Sequence, residues 1–164
     1  RGDYLAIVTL GFGGVVRMSS RLRAAVGAYV RRALSSAWHT RLIADAIVIL
    51  AFLGDVPPDH VERLAAYWGE ALGGPAAYSS RFGDESFVAR LHSGNGEHPE
   101  MDERAIACFD SALEDVGIDG ALFPALRHYF AWATRVHLAQ WPDSADDVPG
   151  GLDVPRWSWD GLQD

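Results

Sequence analysis

Lysine is absent from the chain: all 14 basic residues are arginine. That excludes a Schiff-base lysine and the lysine of a P-loop, since both chemistries need the ammonium or its free amine. Cysteine is nearly absent as well. The single Cys108 excludes an internal disulfide, suits a reducing compartment, and falls on an apolar helical face where a buried, inert thiol is expected. Long apolar runs are missing. The nearest candidate, "ADAIVILAFLG" at 44–54, falls short of the ~18 residues a membrane span needs, and Asp45 interrupts it. The opening "RGDYLAIVTLGFGGVV" lacks the charged start, apolar core and cleavage site of a signal peptide in order. Positive charge is scarce too. A net charge of −8 argues against nucleic acid, whose phosphates call for a basic stripe. The expectation is a cytoplasmic protein without nucleic-acid or membrane partners.

What is present reads as helix. With 164 residues, 49% of them apolar, one domain with a real core is expected. At 58–72, Val61, Leu64, Ala65, Trp68, Ala71 and Leu72 recur at helical spacing, behind a D-x-x-E capping pattern of Asp59 and Glu62. Gly73, Gly74 and Pro75 end it. At 99–116, Ala105, Ile106, Phe109, Ala112, Leu113 and Val116 form one stripe, with Pro99 in the first turn and Gly117 as the stop. A third pattern runs over 121–139 through Leu122, Leu126, Phe130, Ala133 and Val136. Two more cover 21–36 and 37–51, where 44–53 also fits a buried strand; its helical surroundings decide for helix. Residues 85–92 predict a short helix with Phe87, Val88 and Leu91 inward and His92 in its last turn. No segment reads convincingly as a strand. The expected organisation is an extension at 1–19, a helical domain at 20–139, and a tail at 140–164. The tail is rich in Pro, Gly and Asp, and its three tryptophans, Trp141, Trp157 and Trp159, suggest that it docks back on the domain, with partner binding as the alternative.

Six histidines carry most of the chemistry on offer. His60 follows a cap residue and is expected at the surface. His128 and His137 read as surface or core residues of the last helix. His39 follows Trp38 on an apolar helix and is expected to point inward. His92 and His98 bracket the glycine loop "SGNGE". A zinc site drawn from His92, Glu97, His98 and Asp102 matches no standard spacing. There is no H-E-x-x-H, no G-x-S-x-G, and no glycine-rich phosphate loop in a strand–helix setting. A lone histidine at the end of a short helix, in a helical domain packed with aromatics, is what axial ligation of haem iron requires. It is also what an ordinary helix end looks like, and spacing alone leaves the two readings open.

The ordered strings "WHTRLIADAIVILAF", "PPDHVERLAAYWGEALGGPAAYS", "RLHSGNGEHPEMDERAIACFDSALEDVG" and "LRHYFAWAT" together resemble the truncated haemoglobins. The likeness is greatest to group II, the O-type, in its actinobacterial branch, and covers about residues 20–139. It implies an all-α fold, the two-over-two helical sandwich around haem b. By matching positions, His92 falls on the proximal haem ligand and Phe52 on the aromatic residue that packs the haem near the ligand side. His39 falls where many group II members carry a distal tyrosine. Trp68 and Leu64 lie on the helix over the distal face, and Tyr78 and Arg90 are candidates to meet the haem propionates. Ala105 stands where group II proteins commonly carry a distal tryptophan, so Trp68 is the expected substitute indole donor.

The resemblance implies binding of dioxygen and related diatomic ligands at iron. Nitric oxide detoxification or peroxidase-like chemistry would draw on an external reductase, since the chain has no flavin or nicotinamide domain. Two other classes stand beside it: a non-haem metal-dependent hydrolase using His92, His98 and nearby carboxylates, and a haem-free globin-fold interaction module. The chain is expected as a monomer or homodimer.

Overall fold

The first helix, α1, runs unbroken over Ser20–Ala44, where two helices were expected. No glycine or proline interrupts 33–40, so nothing stops the helix midway. What stops it is Asp45. Its Oδ1 accepts the backbone N–H groups of Ile47 and Val48 at 2.9 and 3.0 Å, opening a 3-10 turn over Val48–Phe52. The stretch that fitted either strand or helix therefore forms a tight helical turn. Arg104 donates to the same carboxylate, and these contacts hold its pKa well below the usual range, the arginine most of all. The structure, a computed structural model, describes residues 20–158 and 160–163; the extension expected at 1–19 and Trp159 lie outside them.

Helix α2 spans His60–Ala71. The expected capping box does not form. Asp59 makes no cap hydrogen bond; its carboxylate takes Arg63 Nε at 2.8 Å, while Glu62 takes Arg81 at 3.0 Å. The glycines end the helix as expected. Gly73 sits at φ +88°, and a Cβ on Gly74 would stand 2.4 Å from the Gly69 carbonyl oxygen. The buried Glu70 then pins the loop, accepting the N–H groups of Tyr78 and Ser79 at 2.9 Å each and the Ser79 hydroxyl at 2.7 Å.

Helix α3 is short, Glu85–Leu91, capped by Asp84, whose carboxylate accepts the Phe87 N–H at 3.0 Å. Helix α4 spans Pro99–Asp115. Helix α5 spans Leu122–Trp132 and widens into a π-helical turn at Ala133–His137. Helix α1 packs on α2 and α4, and α4 on α5, giving a two-over-two helical arrangement. Its centre is aromatic. Phe109 of α4 stacks on Phe130 of α5 with centroids 4.2 Å apart, and Trp68 and Trp38 meet that pair edge-on. Edge and stacked pairs at such distances add to simple burial.

Several expected inward residues face out. Val88 is buried, but Phe87 and Leu91 are 43% and 65% exposed; Leu122 and Val136 are also exposed. In α3 the inward face belongs instead to Glu85, Ser86, Val88 and Ala89: Val88 joins the hydrophobic core, while Glu85 and Ser86 meet polar partners from the last third of the chain. Cys108 is only partly buried. Its thiol pKa is pushed up by desolvation, so it is poorly reactive all the same.

The tail does dock, and it contains strands where none was expected. A 3-10 turn at Ala145–Asp147 leads to β1, Arg156–Ser158, paired antiparallel with β2, Gly161–Gln163. Trp157 is buried against Tyr129, Trp132 and the ring of His128. Trp141 is partly buried.

Candidate functional site

His92 lies just past the last turn of α3, and its ring Nδ1 is 2.8 Å from the carbonyl oxygen of Val88. A carbonyl only accepts, so Nδ1 carries the proton. The neutral ring then presents Nε2 as a bare lone pair, the state a metal ligand requires. Two features define its setting. The residue is exposed, yet enough protein surrounds the ring that desolvation lowers its pKa. Desolvation favours the neutral form, and the neutral form is the one that ligates.

A second histidine cluster draws on α1, the 3-10 turn and the start of α2. His60 lies among Phe52, His39 and Trp38, with ring centroids at 5.1, 5.0 and 6.3 Å. Its Nδ1 is 2.8 Å from Nδ1 of His39, so one of those nitrogens donates and the other accepts. Burial, then the neighbouring His39 and His92, push the pKa of His60 down to about 4; burial lowers that of His39 as well. Both therefore favour the neutral form at pH 7, and the nearness of His92 adds to the cost of protonating His60.

His60 was expected at the surface, and the structure corrects that. The signal was available: His60, Leu64 and Trp68 are spaced i, i+4, i+8, which sets them on one face of α2. Position in a first turn does not by itself mean solvent, because the 3-10 turn carrying Phe52 folds over that end of the helix. His39 and Phe52 join His60 in one cluster, and Leu64 is partly buried on the same face. Trp68 stands deeper, in edge contact with Trp38, Phe109 and Phe130. At Ala105 the backbone carbonyl accepts the indole N–H of Trp38 at 3.1 Å, so an indole from α1 reaches the position where the resemblance led one to look for a tryptophan on α4. Tyr78 is buried against Tyr67 and Phe82. Arg90 is exposed and donates one N–H to the Val148 carbonyl at 3.1 Å.

The zinc set does not assemble. His98 Nδ1 bonds Asp102 at 2.9 Å, His92 Nδ1 bonds Val88, and among the described residues no three His, Cys, Asp or Glu side chains could hold a metal ion together. No helix among them is long and apolar enough to cross a membrane.

The two-over-two sandwich of α1, α2, α4 and α5 around an aromatic core is a globin-type arrangement. The family model for bacterial-like globins matches residues 24–135, and the chain belongs to that family. Its fold is similar to the group II truncated haemoglobin of Bacillus anthracis, at TM-score 0.63 and 17% identity, over 79% of this chain and 97% of that one. A tryptophan-to-leucine mutant of the same protein aligns at TM-score 0.62 and 18% identity, over 81% and 99%. The truncated oxygen-avid haemoglobin of Bacillus subtilis aligns at TM-score 0.60 and 19% identity, over 70% and 95%. No curated protein matches the sequence.

Haem b is the cofactor of this family, and the residues present fit it. The bare Nε2 of His92 suits iron. Apolar side chains stand exposed close in the chain to Phe52 and His92: Leu50 and Leu53 by the former, Phe87 and Leu91 by the latter. Leu53 at 95% exposure and Leu91 at 65% are costly in water, and a porphyrin is the kind of apolar plate that covers such surface.

Proposed function

We propose that the chain is a haem protein that binds dioxygen and related diatomic ligands, with His92 as the proximal ligand and His60 as the residue that meets the ligand. The observation that carries this is the protonation state of His92. Its Nδ1–H is spent on Val88, its Nε2 has no protein partner, and desolvation of the ring lowers its pKa, favouring the neutral form. Haem iron supplies an open coordination position for the diatomic ligand. Everything else is the work of the chain. Phe52, Leu64, Phe87 and Leu91 bury the porphyrin and exclude water. Arg90, exposed and with donors beyond the one given to Val148, would serve the propionate edge, whereas Tyr78 is buried against Tyr67 and Phe82 and takes no part there. Trp68 backs the distal wall from the core.

On the distal side, His39 acts through His60. When His39 Nδ1–H donates, His60 accepts at Nδ1 and must carry its own proton at Nε2. That leaves His60 an N–H to offer a partly negative ligand. Burial lowers both pKa values, that of His60 to about 4, so the donor is present at pH 7. Nitric oxide detoxification or peroxidase-like turnover would use the same pocket with electrons from a separate reductase. The chain itself needs nothing more for reversible binding, so simple ligand binding is the preferred role.

The visible spectrum of the purified, haem-loaded protein tests this. The wild type should show a Soret band with a histidine-ligated ferrous form, and His92→Ala should lose that form. A wild-type spectrum in His92→Ala would overturn the proximal assignment. Zinc with no Soret band in the purified protein would favour a hydrolase instead.

A further inference from the structure

Helix α3 has only seven residues, too few to hold its own shape in water. It also packs more closely on the tail turn at Ala145–Asp147 than on any of the long helices. The hydrogen bonds say the same. At its start, the Glu85 N–H donates to the Leu152 carbonyl at 3.1 Å, and the Leu152 N–H donates to the buried Ser86 hydroxyl at 3.0 Å. Midway, Arg90 donates to the Val148 carbonyl. Just past His92, the Gly94 N–H donates to the Trp141 carbonyl at 3.0 Å and the Gly96 N–H to the Pro142 carbonyl at 2.9 Å. The tail therefore grips α3 on both sides of His92. Gly94 is the closest point. It sits at φ +76°, and a Cβ there would stand 3.1 Å from the Ala145 backbone nitrogen. Only glycine allows the tail so near.

A second tie comes from the end of α5. His137 Nε2 is 2.7 Å from the fully buried carboxylate of Glu85, the first residue of α3. The π-helical turn places His137 there, and Trp132 stacks on its ring at 5.1 Å. The segment 137–152 thus runs along α3 as a continuous strap.

We infer that residues 137–152 form a proximal clamp that fixes the direction of the His92 imidazole and so sets haem retention. Ser86, Gly94 and Glu85 are positioning residues: they touch the strap, and act through His92. The inference rests on the reading of His92 as the haem ligand. Its physical basis is that a ligand on a free short helix can swing with the helix, whereas one held at both ends cannot. Partners that orient a metal ligand commonly alter affinity by 10- to 100-fold.

The test uses the full chain loaded with haem. Gly94→Ala forces the strap away from the loop, Ser86→Ala removes the hydroxyl that receives Leu152, and Ser86→Thr keeps it. Ile118→Ala, at the far end of α4, serves as a control for lost stability alone. Resonance Raman reads the iron–histidine stretch of the ferrous form, and a haem-scavenging assay reads the rate of loss. The expected result is a shifted stretch and haem loss about tenfold faster in Gly94→Ala and Ser86→Ala. Ser86→Thr should return to wild type, and Ile118→Ala should melt lower with the stretch unmoved. In the haem-free chain, faster amide exchange at Glu85, Gly94 and Gly96 should accompany the change. If Gly94→Ala and Ser86→Ala keep the wild-type stretch and haem half-life, the clamp is overturned. If His92→Ala still shows an iron–histidine stretch, it is the ligand assignment that fails, which separates the two outcomes.

Discussion

At the scale of the residue, the distal pair of histidines is the feature with most consequence. A single hydrogen bond involving a charged or strongly polarised partner contributes about 1.5–3 kcal/mol, and each 1.4 kcal/mol is tenfold in a rate or equilibrium. His60→Leu should therefore raise the oxygen dissociation rate by at least about tenfold, read by stopped flow. His39→Phe should raise it less, since it removes the orienting partner and leaves the donor. An unchanged rate in His60→Leu would remove His60 from the ligand's reach. The pair also has a pH signature. The folded pKa of His60 is about 4, below the ordinary 6.5, so the unfolded chain binds more protons between those values. Stability should then fall as pH drops from about 6.5 to about 4 and level off below. Partial exposure screens the effect to roughly 1–2 kcal/mol. His60→Gln should flatten that portion of the curve in urea titrations at a series of pH values.

At the scale of the element, the turn after α2 is the most constrained. A Cβ at Gly74 would lie 2.4 Å from the Gly69 carbonyl oxygen, and that atom is backbone, so it cannot swing aside. The Gly69 oxygen also accepts the Gly74 N–H at 2.8 Å. Gly74→Ala should cost about 1–3 kcal/mol, measured by chemical denaturation, while Gly73→Ala should cost less despite its positive φ, because nothing stands near its Cβ. Glycine–glycine–proline was readable as a stop in the sequence, and so were α2, α4 and α5, because each buries one face at helical period. Three things were not. The inward face of α3 could not be inferred from apolar residues, because Phe87 and Leu91 face outward and the helix is held by backbone bonds to a distant segment. His60 looked like a surface residue because the fold over it comes from the 3-10 turn. The polar anchors Glu85 and His137 are 52 residues apart, and no local pattern links them. In the candidate site, the resemblance pointed to His92, His39 and Phe52, and the structure sets the last two beside His60. His60 was legible only through its register with Leu64 and Trp68.

At the scale of the whole molecule, the question is whether the tail belongs to the same cooperative unit as the helices. Its attachments are of two kinds. Val148, Val154 and Trp157 are buried apolar anchors, and Arg156 donates from one nitrogen to the carbonyls of Glu70 and Gly74, at 2.7 and 2.8 Å. Those carbonyls lie at the end of α2, so the arginine ties the tail to α2 while the strap ties it to α3. Trp157 packs on α5 between them. One segment thus touches α2, α3 and α5. A small unit with so few buried anchors opens more readily than the aromatic core. Trp157→Ala removes the largest of them, and truncating a buried tryptophan costs about 3–5 kcal/mol in a full core. Trp157 is held by one strand and the α5 surface, so most of that loss should fall on the tail alone. Hydrogen exchange should show amides of 141–158 in Trp157→Ala exchanging together and early, with α4 nearly as protected as in the wild type. Equal loss of protection in the tail and in α4 would mean that the tail and the globin core unfold as one, and that Trp157 belongs to the core itself.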